Sequence, residues 1–215
     1  LTMKEYHKIQ TIFKRDEATN FKTLLEGEYS LPEFEYLKNN EWVWTEKIDG
    51  TNIRVMWDGA DIILAGKTDN ATIPNHLLKR LASLFDTWMF KEKFGEGGGV
   101  CLYGEGYGAK IQKAGPHYIN NNVDFILFDC RVGQWWLTRD SLLEIVEYFH
   151  IGIVPIIGSG TLGEAIEHCR AGFKSVVAED KDLNAEGLVL KPSCDLFARN
   201  GSRIITKIKT KDFIS

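Results

Sequence analysis

Apolar and polar positions along the chain alternate with two different periods, and the switches between them mark the elements. From His76 to Phe90 the residues Leu77, Leu78, Leu81, Leu84, Phe85 and Trp88 form one apolar stripe at helical spacing, which predicts a single helix following Pro74. A second helix is expected from Thr138 to about Phe149. A third is expected from Thr161, where Glu164 three residues on has the spacing of a capping box, and it should stop before Gly172. These helices read as scaffold.

The strands are more informative. Asn52 to Trp57 and Asp61 to Ala65 flank Asp58-Gly59, a strong turn signal, so they should form an antiparallel pair. Period two puts Ile53, Val55 and Trp57 on one face, expected to be core, and Asn52, Arg54 and Met56 on the other. Further strands are expected at Glu41 to Thr45, Val100 to Tyr103, Phe125 to Asp129, Gln134 to Leu137, Gly187 to Lys191 and Arg203 to Lys209. Strands mixed with helices without a regular βαβ rhythm predict an α+β fold with mainly antiparallel sheets flanked by helices.

Composition narrows the class. The chain has 215 residues, 44% of them hydrophobic, which suffices for a substantial core and excludes a disordered chain. No window approaches the roughly 20 apolar residues of a membrane-spanning helix. The start Leu1-Thr2-Met3-Lys4 lacks the order of a signal peptide, and the cysteines form no CxxC pair, so a cytoplasmic protein with reduced thiols is expected. A net charge of -4 does not advertise a nucleic-acid binder, but it averages over faces and leaves a local basic track open. No five-residue basic cluster exists, so any such track should be shallow. The tryptophans, including Trp42, Trp44, Trp135 and Trp136, read mainly as core or sheet-face packing.

Five polar segments interrupt otherwise apolar strands: Glu46-Lys47-Ile48-Asp49-Gly50-Thr51-Asn52, Tyr103-Gly104-Glu105-Gly106, Asp124 to Asp129, Glu186 to Lys191, and Thr206-Lys207-Ile208-Lys209. Each sets a Lys, Asp or Glu at the end of, or inside, an apolar strand, where an unpaired charge is costly. On a strand from Arg203 to Lys211, Arg203, Lys207, Lys209 and Lys211 would share one face, with Ile204, Thr206 and Ile208 on the other. Lysines two residues apart repel unless an anion lies between them.

In this order the segments resemble motifs I, III, IIIa, IV and V of the covalent nucleotidyltransferases, the superfamily of ATP-dependent ligases and mRNA capping enzymes. The chain most resembles the ATP-dependent RNA ligases of the phage and trypanosome-editing type. Asn52 supports that branch, and Tyr6 to Gln10 and Gly66 to Pro74 also look like segments of phage RNA ligases. The resemblance runs from about Tyr6 to Lys211. It implies a nucleotidyltransferase (ATP-grasp-like) domain in which Lys47 attacks the α-phosphate of ATP, takes AMP, and passes it to an RNA 5'-phosphate for joining to a 3'-hydroxyl. ATP and Mg²⁺ or Mn²⁺ are the implied cofactors, and RNA ends the implied partner.

By the same resemblance Lys207 and Lys209 neutralise phosphate and favour the neutral Lys47 amine, Glu105 binds the ribose hydroxyls, and Phe128 stacks on adenine. Glu186 holds the metal, and Asp49 orients its waters. Glu46 and Ile48, on either side of the nucleophile, are counted with it among the nucleotide-binding residues, and Asn52, Arg54 and Lys67 line the nucleotide or RNA-end site. Among Phe125, Leu127 and Phe128 only the motif selects Phe128. His117 could be read as a base, though the mechanism asks for none there. The chain ends four residues after Lys211, which leads to the expectation of one adenylyltransferase domain with no C-terminal OB or helical domain. A DNA ligase, a capping enzyme, or a degenerate module that holds nucleotide or RNA without chemistry are the alternatives.

Overall fold

The computed structural model describes residues 4–213, so Leu1, Thr2 and Met3 of the start lie outside it. In chain order β1 (Gln10–Thr11), β2 (Phe13–Arg15) and β3 (Leu24–Tyr29) precede α1 (Pro32–Tyr36) and β4 (Trp42–Lys47). Next come β5 (Thr51–Trp57), β6 (Ile62–Ala65), α2 (Asn75–Leu84), α3 (Thr87–Phe94), β7 (Val100–Gly108), α4 (Gly115–Tyr118), β8 (Val123–Val132) and β9 (Trp135–Trp136). The last are α5 (Arg139–Phe149), β10 (Gly152–Ile153), β11 (Ile156–Gly160), α6 (Leu162–Ala171), β12 (Gly187–Pro192) and β13 (Thr206–Lys209).

The chain divides into two compact units. The first comprises Asp49–Val154 with the N-terminal stretch through His7 and Ala178–Asp180; the second comprises Lys8–Ile48, Pro155–Val177 and the chain from Lys181 onward. Each is built on one main sheet, the second unit adding the separate two-stranded pair β2-β3, and the pairings are antiparallel apart from β1 on β13 and β10 on β8, as expected for the α+β class.

In the second unit the sheet order is β1-β13-β12-β4-β11. Burial alternates strictly along β4: Trp42, Trp44 and Glu46 point inward, while Val43, Thr45 and Lys47 are half-buried on the other face. Trp42, Leu188, Leu190 and Ile208 form a core with Leu162, Ala165, Ile166 and Cys169 of α6. Each large apolar side chain so buried stabilises by about 1.5–3 kcal/mol. The α6 capping box is formed: Thr161 Oγ1 accepts from the Glu164 amide at 3.2 Å, and Glu164 Oε2 accepts from the Thr161 amide at 2.7 Å.

In the first unit the sheet order is β10-β8-β7-β5-β6, with β9 on β8. Ile53, Val55 and Trp57 of β5 lie in the core with Leu77 and Leu81 of α2 and Leu142, Ile145 and Phe149 of α5. The opposite face is also largely covered: Met56, Ala65, Cys101 and Tyr103 form a second apolar cluster with Tyr6, Phe128 and Trp136.

Several expectations need correction. The single helix from His76 to Phe90 is two helices, because Phe85 is extended and the Asp86 carboxylate accepts from the Trp88 amide at 3.2 Å, starting α3. The restart swings Phe90 into the core and leaves Trp88 61% exposed, so Trp88 is not part of the buried stripe. Ladder partners carry the strands beginning at Trp42 and Val100 further than expected, through Lys47 and Gly108. At the C-terminus the strand covers only Thr206–Lys209; Arg203 bridges Phe197 instead, and Lys211 sits in the 3-10 turn Thr210–Asp212. The run from Gln134 to Leu137 shortens to Trp135–Trp136, with Trp135 exposed.

One irregularity decides which residues of β8 leave the core face. Along the β7–β8 ladder Tyr103 pairs with Asp129 and Gly104 with Leu127, so Phe128 has no residue opposite and the ladder shifts there. An unpaired residue reverses strand parity. Val123, Phe125 and Leu127 face the core before the shift and Cys130 faces it after, while Phe128 and Asp129 both leave that face. Gly104 makes room for this: a Cβ there would overlap the Phe125 ring and the Ile126 carbonyl. We expect Gly104→Ala to destabilise the fold by about 1–3 kcal/mol, the usual cost of overpacking. An unchanged urea midpoint would show that the Phe125 ring is not fixed over Gly104.

Candidate active site

The second unit presents its lysines in rows set by register. Lys209 of β13 lies opposite Gly187 of β12, and Gly187 lies opposite Lys47 of β4, so both lysines share one face with a residue lacking a side chain between them. Two positions along β13, Lys207 is opposite Val189 on that same face and has Thr11 of β1 as its outer neighbour. Gly187 is required by close approach, because a Cβ there would overlap the carbonyl of Ile208. Glu186 immediately precedes this row, and its Oε2 accepts from Lys47 Nζ at 2.7 Å, both side chains being about one-fifth exposed, at 20% and 23%.

Lys209 is held below the ordinary lysine pKa. Burial is the main cause; Glu186 acts in the opposite direction, Lys47 and Lys211 add like-charge repulsion, and Asp212 opposes it. The charged ammonium is therefore disfavoured in the folded chain, and an anion on this face offsets that cost.

Glu46, next to the nucleophile candidate, does not share its face. It is 1% exposed, and its carboxylate accepts from Ser175 Oγ and from the Val176 amide at 2.9 Å. Burial raises its pKa, against the lowering effects of those hydrogen bonds and of Lys181. The side chain thus fastens Ser175 and Val176 to β4, one residue from Lys47. Ile48 is buried as well.

In the first unit the face of β5 opposite the core carries Asn52 directly across from Glu105 of β7. Asn52 Oδ1 is buried and has no hydrogen-bond partner among the described residues. Gly50 packs so closely on β7 that a Cβ would overlap the Gly106 carbonyl and meet Glu105 Cγ at 2.9 Å. The Asp49 amide donates to the Tyr118 hydroxyl at 3.2 Å. Arg54 is fully buried, its Nε donating to the Gly66 carbonyl at 2.9 Å and its guanidinium pairing with Asp69 at 2.7 Å. It ties down the loop that displays the exposed Lys67. Phe125 and Leu127 are core, whereas the half-buried Phe128 meets Tyr6 edge-on with ring centroids 5.0 Å apart. Tyr6 in turn donates to the buried Asp129 at 2.8 Å. His117 is paired with Asp180 at 2.7 Å on the surface.

Sequence reading missed the Ser175–Val176 clamp, which lies in a stretch with no periodicity to flag it. It also missed Arg15, whose guanidinium pairs with Asp212 at 2.7 Å after a long separation in sequence.

Glu46→Ala leaves Ser175 and Val176 donors without their acceptor and should cost about 1–3 kcal/mol. Because burial raises the Glu46 pKa, the folded chain holds its proton to higher pH than the unfolded chain does. Its contribution to stability should therefore be constant below the unfolded carboxylate value and fall as pH rises toward the folded one. Urea melts of the parent and Glu46→Gln across that range should give a parent-minus-variant difference that declines with pH. A difference that rises with pH would contradict this.

The RNA ligase family model matches residues 40–209. No curated protein matches the sequence. Among solved structures the chain is similar to Naegleria gruberi RNA ligase, as an apo mutant at TM-score 0.67 and 20% identity, covering 99% of this chain and 57% of that one. It is also similar to a mutant of that ligase with ATP and Mn, at TM-score 0.68 and 19% identity over 99% and 58%, and to that ligase with PPi, at TM-score 0.67 and 20% identity over 99% and 58%. The likeness to these structures is one of fold, and the chain spans a little under three-fifths of their length, 57–58%. On a family match that covers most of its length and spans Lys47, Glu105, Phe128, Glu186 and Lys209, the chain belongs to the RNA ligase family, a family of enzymes.

Proposed function

We propose that the chain is an ATP-dependent RNA ligase domain that works through a lysyl-AMP on Lys47. The observation that carries this reading is the row Lys47–Gly187–Lys209 with Glu186 on Lys47 Nζ, a nucleophilic amine and a phosphate-neutralising cation on one sheet face. The neutral Lys47 amine attacks the α-phosphorus of ATP: an N–P bond forms, the bond to the β-phosphate bridging oxygen breaks, pyrophosphate leaves, and the amine loses a proton. A 5'-phosphate oxygen of RNA then displaces Lys47 from the AMP phosphorus. Finally an RNA 3'-hydroxyl attacks the activated 5'-phosphate, loses its proton, and expels AMP. Lys207 and Lys209 lower the charge that builds on the transferring phosphoryl group, which together with in-line positioning is the main catalytic lever.

Glu105 takes the ribose hydroxyls and Phe128 the adenine, and Asn52 offers its unpartnered Oδ1 to the same ligand. Lys67 meets phosphate at the RNA end, while Arg54 acts by holding the Lys67 loop and Glu46 and Ile48 by fixing the strand end that carries Lys47. Among the described residues no group of three or more His, Cys, Asp or Glu could cage a metal. A site of one or two carboxylates plus substrate phosphates and water suits Mg²⁺ or Mn²⁺, so Glu186 would hold the ion and Asp49 would orient its waters. When bound, the ion supplies further neutralisation of phosphate charge. The branch of ATP-dependent RNA ligases of the phage and trypanosome-editing type fits these residues. No helix among the described residues is long and apolar enough to cross a membrane.

Intact-protein mass after incubation with ATP and Mg²⁺ or Mn²⁺ should show one acid-labile adenylyl adduct in the parent and none in Lys47→Ala. A folded parent with no adduct under either metal would sink the enzymatic reading in favour of a binding module. Joining of RNA but not DNA 3'-ends separates the RNA ligase from a DNA ligase, and labelling by ATP but not GTP separates it from a capping enzyme. Lys209→Met should slow adduct formation by about 10²-fold, the scale of losing one preorganised charge donor. The same variant should melt no lower than the parent without ligand, because it removes a half-buried charge whose burial and repulsion by Lys47 and Lys211 outweigh its attraction to Glu186 and Asp212.

A further inference from the structure

The phosphate-facing lysines of β13 do not end at the row that holds Lys47. Beyond β13, on the side of β1, the second unit has an open cavity of about 340 Å³ whose walls include Lys22, Lys207, Lys209 and Lys211. Thr11, Arg15, Asp212 and Phe21 complete its lining. Five cations against one carboxylate form this lining in a chain whose net charge is -4. The carboxylate is spent on one of the five: Arg15 donates to both Asp212 oxygens, at 3.3 and 2.7 Å.

Phe21 is held out of the core by its backbone. Asn20 and Phe21 are both left-handed, at φ 54° and 60°, a conformation that a bulky side chain adopts only under constraint. The Phe21 amide donates to the Asp16 carbonyl at 2.9 Å and the Asn20 amide to the Glu17 carbonyl at 2.9 Å, locking the turn. The result is a ring 56% exposed beside lysines, where burial would have been the favourable outcome.

We propose that this cavity is a single-stranded RNA subsite, in which Phe21 stacks on a base next to the joining end and Lys22, Lys207 and Lys211 carry the adjoining phosphates. The proposal rests on the ligase reading above. Cations alone would suit the triphosphate tail of ATP equally well. The ring decides between them: ATP brings one base, which that reading assigns to Phe128, whereas a polynucleotide brings a base beside every phosphate. A basic track with an exposed aromatic platform is the usual arrangement for holding single strands without sequence preference.

The test uses the whole chain and a fluorescent, 5'-phosphorylated single-stranded RNA, with affinity read by anisotropy over a salt series and lysyl-AMP formation read separately by mass. Phe21→Ala should weaken RNA binding about tenfold, the scale of one base–aromatic stack, and Phe21→Tyr should restore it. The loss of RNA affinity should exceed any change in lysyl-AMP formation. Lys22→Ala with Lys211→Ala should flatten the slope of log affinity against log salt by about 0.7 for each lysine.

RNA affinity indifferent to Phe21, with a raised KM for ATP in the lysine variant, would reassign the cavity to the triphosphate tail and overturn the proposal. No measurable RNA binding by the parent would overturn it as well. Absence of lysyl-AMP in the parent, with Phe21-dependent RNA binding intact, would remove the ligase reading and leave the RNA subsite standing.

Discussion

Two lysines sharing one face of a sheet, with a glycine between them, set the constraint on which the proposed chemistry of this chain depends. Lys47 and Lys209 repel, and burial disfavours the charge on Lys209 further. Glu186, paired with Lys47 at 2.7 Å, relieves part of the conflict. The arrangement therefore costs stability without an anion and gains from one, the bias expected of a phosphate-transfer site. It persists because the reverse face of the same strands buries Trp42, Trp44, Leu188, Leu190 and Ile208 against α6.

Period two makes that division of labour possible and also enforces it. Glu46 and Lys47 are neighbours in sequence but sit on opposite faces, so the carboxylate beside Lys47 is turned into the core and satisfied there by Ser175 and Val176. A buried carboxylate left without donors would be expensive. Here it converts a strand end, ordinarily the part of a strand most prone to fray, into a fixed support for Lys47.

The first unit solves a related problem with an irregularity rather than with register. Its sheet is covered on both faces, and which residues of β8 go to which face turns on one shift in the ladder. The shift at Phe128 moves that ring from the core face that Phe125 and Leu127 occupy to the second apolar cluster beside Tyr6 and Trp136. Gly104 is the counterpart on the neighbouring strand, giving the Phe125 ring the space a side chain would have filled. Arg54, a charged residue on the face of that second cluster, is engaged by Gly66 and Asp69 and anchors the loop that carries them.

Much of this was legible in the residues themselves. The α+β class, the Asp58-Gly59 hairpin, the Thr161–Glu164 cap and the spacing of the motif segments are local signals, and local signals survive translation into structure because they depend on a few neighbouring residues. The helix from His76 failed for the same local reason in reverse, since the stripe continued through Asp86 while its capping side chain started a new helix. What the sequence could not specify were partners brought together across long separations: Glu46 with Ser175, Arg15 with Asp212, and Phe21 and Lys22 beside the lysines near the C-terminus. Nor could it choose Phe128 over Phe125, because that choice rests on one unpaired residue in a ladder between two strands. Hydrophobic pattern fixes which face of a strand is buried, but only the register of the folded sheet decides which polar residues share the other one.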